Sequence, residues 1–179
     1  IYMGDWSSDV CSSDLLPLGT VVRTLQGLLS ERVPLRNMRT IIETMAEHAA
    51  RTQDPQQLTA HLRVALGRQI VQDIAGMSTE LPVITLEPDL EQLLTNSLVG
   101  SNAATPGLEP GLAERMQRRL AEAAQRQEMT GEPAVLLVPP QLRQTLARFM
   151  RSVVPSMHVL AWNEIPDNRK VRLVTAVGR

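Results

Sequence analysis

Residues 134–138 read Ala-Val-Leu-Leu-Val, a run with no polar position. A strand with one wet face alternates apolar and polar residues, whereas one that is apolar throughout has both faces covered. The run is too short for a helix, and Gly131, Pro133 and Pro139 bracket it. It therefore predicts a strand at the centre of a sheet with helices packed on it. That constrains the second half of the chain to an α/β arrangement.

The flanking segments agree. GLAERMQRRLAEAAQRQEM reads as a long, polar, Ala-rich helix with a thin stripe of Leu112, Met116, Leu120, Ala123 and Ala124. PQLRQTLARFMRSV reads as a helix with Leu142, Leu146, Phe149 and Met150 inward. HVLAW is the next strand, and strand–helix–strand here has the length of a right-handed parallel crossover. LPVITL and VRLVTAV supply two further strands, EPDLEQLLTNSLV a short helix and GSNAATPGLEPG a loop. Because the turn-like NEIPDNRK separates the last two strands, a mixed, partly parallel sheet is expected.

The first half has helical rhythm. In VVRTLQGLLSERV, Val21, Val22, Leu25, Leu28 and Leu29 recur at helical spacing, with Gly27 inside at a cost of about 1 kcal/mol relative to Ala. Pro34 ends this helix. Asn37 suits an N-cap, followed by the stripe Met38, Ile41, Ile42 and Met45. In DPQQLTAHLRVALGRQIVQDIAG, Asp54 caps, Pro55 takes the first helical position and Gly76 is a stop. The expected organisation is a tail over 1–15, a three-helix subdomain over 16–77 and a small α/β subdomain over 78–179.

Composition narrows the function. The chain has 179 residues and a net charge of −1, which supplies no field for attracting nucleic acid. Beyond the opening, only Phe149 and Trp162 are aromatic, so base-stacking platforms are scarce. No apolar stretch approaches the length of a membrane span. His48, His61 and His158 lie in no metal-ligand spacing, and no nucleophile elbow, phosphate loop or dinucleotide fingerprint occurs. No catalytic residue, cofactor or metal is expected. Glu43 and Glu47 stand one helical turn apart; a solvated helix face is the plain reading, and a small hydrolase using paired carboxylates the alternative. A helical adaptor outside secretion is a third reading.

The densest charge lies in ERVPLRNMRTIIETMAEH, where Glu31, Arg32, Arg36, Arg39, Glu43 and Glu47 gather around one corner. An ion-pair brace and a contact surface for a neighbouring subunit both fit.

LLSERVPLRNMRTIIETMAEHA followed by DPQQLTAHLRVALGRQI resembles the export-gate family of type III secretion systems. Leu28, Leu29, Glu31, Val33, Leu35, Arg36, Glu43, Asp54, Pro55, Arg63, Ala65, Leu66 and Arg68 fit its pattern. GLEPGLAERM, RQEMTGEPAVLLV, LRQTLARFMRSVVP and DNRKVRLVTAVG resemble the flagellar branch, with an injectisome homologue as the near alternative. The likeness runs from Leu18 to Arg179.

The resemblance implies a non-enzymatic cytoplasmic part of a membrane-anchored export gate, working at the inner face of the bacterial inner membrane. In that family the cytoplasmic domains have four subdomains, form a nine-membered ring and receive export substrates and chaperones. This chain corresponds to the last two subdomains, and the chaperone-docking groove lies largely elsewhere. The expected partners are other copies of the chain, flagellar export chaperones and substrates, and other export-apparatus proteins. No nucleic acid is expected, and membrane contact only through the N-terminal region that precedes these subdomains in the family. Arg36, Arg39, Glu43, Arg63 and Arg68 are the ring-interface candidates.

The opening DWSSDVCSSDL, residues 5–15, differs from everything after it. It is similar to the translation of a sequencing-adapter strand, codon by codon, so residues 1–15 are expected to be foreign. A Ser/Asp-rich disordered tail is the competing reading. Cys11, the sole cysteine, then carries no information about redox compartment.

Overall fold

The computed structural model describes residues 16–99 and 110–178. The opening stretch with Cys11, and most of the GSNAATPGLEPG loop, lie outside them. The chain divides into two compact units between Ala65 and Leu66. The subdomain boundary expected from the sequence lies later, between residues 77 and 78.

The first unit holds α1 (Leu18–Ser30), α2 (Met38–Ala49) and α3 (Pro55–Ala65). Its core is Leu28, Val33, Ile41, Met45, Ala49, Leu58 and Leu62. The inward face of α1 runs through Thr24 and Leu28, leaving Val22 and Leu29 exposed, and that of α2 runs through Ile41, Thr44, Met45 and Ala49, leaving Met38 and Ile42 exposed. Threonine can serve an inward face because its hydroxyl returns a hydrogen bond to its own helix. Thr24 Oγ1 donates to the Thr20 carbonyl, and Thr59 Oγ1 to that of Pro55. Gly27 permits α1 and α3 to approach closely: a Cβ there would sit 2.8 Å from Thr59 Oγ1. Asn37 caps α2 by accepting from the Thr40 amide at 3.3 Å, and Asp54 Oδ1 accepts from the Gln56 amide at 3.2 Å.

The third helix ends at Ala65, and α4 (Gly67–Ala75) begins afresh in the second unit. The sequence reads as one continuous helix here, but Leu66 adopts φ −89°, ψ 3°. The break serves packing: Gly67 is pressed against the Glu164 carbonyl oxygen, 2.2 Å from where a Cβ would stand.

The second unit continues with β1 (Glu80–Leu86), α5 (Pro88–Val99), α6 (Pro110–Met129), β2 (Val135–Val138), α7 (Pro140–Val153), β3 (His158–Ala161) and β4 (Lys170–Val177). The α/β class holds, but the sheet is parallel throughout rather than mixed, in the order β3-β2-β1-β4. Residues 162–169 do not form a hairpin. They include a short 3-10 turn (Trp162–Glu164) and carry the chain from one sheet edge to the other. Arg169 Nη2, near the end of this strap, donates to the Gly76 carbonyl at 2.9 Å.

β2 is buried at all four positions, as an all-apolar central strand requires. Ile84, Leu86, Leu136, Val138 and Val159 pack with Leu90, Leu94, Met116, Leu120, Leu142, Leu146 and Met150 of α5, α6 and α7. On β1, the ladder with β2 covers only Ile84 and Thr85, while the ladder with β4 runs the strand's length with a register shift between Val83 and Ile84. Pro82, which has no amide donor, thus sits where β1 is paired on one side only.

Candidate functional site

The charged corner is built by a helix ending. After α1, the Val33 amide donates to the Leu28 carbonyl and the Arg32 amide to that of Leu29, each at 3.0 Å. This is the Schellman arrangement, with Val33 buried beside Leu28 as its apolar partner. The position that normally favours glycine is filled by Arg32 at φ 59°. The same hydrogen-bond pattern closes α6, where Gly131 takes it at φ 75°.

This turn puts Glu31 at the end of α1, where its Oε2 lies 3.0 Å from Nη1 of Arg63 on α3. The Arg63 side chain is 3 % exposed and that of Glu31 12 %. Such a pair is costly to break from one side, because the remaining charge stays buried alone. Arg63 therefore braces the helical unit from inside.

Arg39 and Glu43 behave oppositely. Arg39 Nε donates to Glu43 Oε1 at 2.8 Å across one turn of α2, with side chains 87 % and 62 % exposed. An exposed pair at this spacing contributes only about 0.3–0.5 kcal/mol, so it presents charge to solvent more than it holds the fold. Arg36 is exposed in the turn before α2, and Arg68 is exposed on α4 in the second unit. The structure thus joins Arg39 to Glu43, buries Arg63 against Glu31, and leaves Arg36 and Arg68 on the surface.

A second buried ion pair lies in the α/β unit. Arg143 Nε on α7 stands 3.3 Å from Glu164 Oε1, with side chains 4 % and 2 % exposed. It fastens the strap to α7, while the Glu164 carbonyl abuts Gly67 of α4. Sequence reasoning missed this pair: Glu164 lies in a segment that reads as a turn, and Arg143 falls on a helix whose stripe is complete without it. An exposed triad also stays invisible in the sequence, in which Arg172 of β4 meets Glu132 and approaches Glu80.

Glu43 and Glu47 are both exposed, so no solvent-excluded cleft encloses them as a carboxylate pair. His48 and His61 are not isolated: their ring centroids are 4.0 Å apart across α2 and α3. Burial, then the charges of His48 and Arg51, lower the pKa of His61 below the ordinary 6.5. Among the described residues, no group of three His, Cys, Asp or Glu is placed to hold a metal ion, and no helix is long and apolar enough to cross a membrane.

Residues 7–170 match the FHIPEP family, and the chain belongs to it. It is 49% identical over 171 residues to a protein of Yersinia enterocolitica named flagellar biosynthesis protein FlhA, an alignment covering 93% of this chain and 24% of that protein. The chain thus spans about a quarter of the length of this curated relative. Its fold is similar to that of the Chlamydia pneumoniae CdsV protein, with TM-score 0.82, 20% identity and coverage of 92% of this chain and 48% of that one. It is similar also to nonameric EPEC SctV-C, with TM-score 0.78, 25% identity and coverage of 91% and 49%.

Proposed function

We propose that this chain is part of the cytoplasmic portion of a flagellar type III protein export gate. It acts there without catalysis, as a ring component and docking platform for export substrates and their chaperones. The observation that carries this reading is the collinear 49% identity to a flagellar biosynthesis protein over 93% of the chain. The lower identity, 25%, to nonameric EPEC SctV-C favours the flagellar branch over the injectisome one, and that structure's nine-fold assembly supports self-association. In the assembled gate this part lies at the inner face of the bacterial inner membrane, held there by other regions of the full-length protein.

The exposed charges Arg36, Arg39, Glu43 and Arg68 then serve contacts between copies, where matching of opposite charges sets register more than affinity. Arg63 contributes by fixing the corner that displays Arg36, Arg39 and Glu43. Charge reversal at Arg36 and Arg39 in the full-length protein tests this. Secretion of flagellar subunits should fall while the isolated chain melts as before. Normal motility in the double variant would reject the interface role, and loss of the fold would reassign these residues to the brace.

We propose further that residues 1–15 are foreign to the gene, on the adapter-like reading of DWSSDVCSSDL. The family match reaches back to residue 7, inside this stretch. Sequencing the genomic locus with adapter-free reads decides the matter: the same codons in place would reject the proposal.

A further inference from the structure

The histidine contact in the helical unit has no part in the proposed function and stands independently of it. His48 lies in the last turn of α2 and His61 in the middle of α3. Their rings meet at 4.0 Å between centroids with planes tilted by 31°. The His48 ring is held in place from its own helix, its Nδ1 being 3.0 Å from the Thr44 carbonyl oxygen, to which an Nδ1–H donates. That bond survives whether the ring is neutral or charged, so protonation changes the charge at the contact without releasing the ring.

We propose that the His48–His61 contact is a proton-responsive latch between α2 and α3, closed while at most one ring is charged and loosened when both are. Two imidazolium rings in van der Waals contact repel each other, and among the described residues no carboxylate is paired with either ring. His48 from α2, and the guanidinium of Arg51 from the turn that follows it, face His61. Along α3, the positions one turn away from His61 are Gln57, Leu58, Val64 and Ala65, none of them charged. Asp54 lies two turns back and is engaged with the Gln56 amide. From α1, Thr24 and Glu31 meet α3 at Thr59 and Arg63. Glu47 is exposed, beside His48 in sequence.

The direction of the pH effect follows. His61 is exposed to solvent overall, and its pKa is lowered in the fold by partial desolvation first and then by His48 and Arg51. The unfolded chain therefore binds this proton more readily, and stability rises with pH through the window between the lowered value and 6.5. Stability present above 6.5 is lost as pH falls through that window.

The test uses the full chain, with histidine ring resonances followed by NMR through a pH titration. In parallel, amide exchange protection is measured over residues 44–65 above and below the ordinary histidine value. His48→Gln should raise the titration midpoint of His61. Acidification should lower protection across the α2–α3 contact severalfold in the parent and clearly less in His61→Gln, whose exposed side chain leaves the fold intact. An unchanged His61 midpoint in His48→Gln, or equal acid loss of protection in parent and His61→Gln, would overturn the latch.

Discussion

Arg143 on α7 and Glu164 in the strap between β3 and β4 form a buried ion pair with Nε 3.3 Å from Oε1. It ties a helix to the segment that makes the sheet parallel at both edges. Each charge is desolvated, so the pair is stable only as a pair. Replacing Arg143 by Met should cost about 3–5 kcal/mol in urea denaturation. The double variant Arg143→Met with Glu164→Leu should recover most of that loss. A single variant with unchanged stability would mean that water reaches the pair.

Glycine 67 gives a sharper test of the same junction. Alanine there would bring Cβ to 2.2 Å from a backbone oxygen, which cannot rotate away. Gly67→Ala should destabilise by about 1–3 kcal/mol, the usual cost of overpacking, or more. Gly19→Ala is the control: nothing lies within 4 Å of its Cβ, and a helical glycine replaced by alanine should gain up to about 1 kcal/mol. Paired thermal melts read both.

Arg32 occupies a left-handed position that Gly131 fills in the equivalent turn after α6. Arg32→Gly should stabilise the helical unit by about 0.5–1 kcal/mol, since only the residue with a Cβ is strained there. A loss of stability in denaturant titration would mean that the Arg32 side chain makes a contact worth more than the backbone strain.

Gln127 is buried at the end of α6, and neither polar atom of its side-chain amide has a partner among the described residues. A buried amide without partners costs about 1–3 kcal/mol. Gln127→Met keeps the length and removes the polar atoms, and should raise the midpoint of chemical unfolding. A lowered midpoint would show that the amide is hydrated.

Local signals were legible in the sequence. The all-apolar strand of 135–138, the Asn37 cap and the Gly76 stop each depend on a residue's own chemistry, and each stands where the sequence placed it. The misread features depend on distant partners. The helix break at Leu66 follows from Gly67 meeting the strap, which lies almost a hundred residues later. NEIPDNRK has the composition of a turn, yet Glu164 within it is drawn inside by Arg143. The inward faces of α1 and α2 were shifted because Thr24 and Thr44 count as polar in a periodicity while their placement is buried. Among the interface candidates, sequence marked the charges but not their depth: Arg63 and Arg39 look alike in a string and differ from 3 % to 87 % in exposure.

The central claim is that this chain works as a piece of a flagellar export gate. The most direct measurement is a chimera: the Yersinia enterocolitica relative with its matching segment replaced by residues 18–178 of this chain, expressed in a strain lacking the native protein. The account predicts export of flagellar subunits into the medium and restored swimming, both reduced by reversal of Arg36 and Arg39. A chimera that is folded, membrane-inserted and present at normal levels, yet exports nothing, would contradict it.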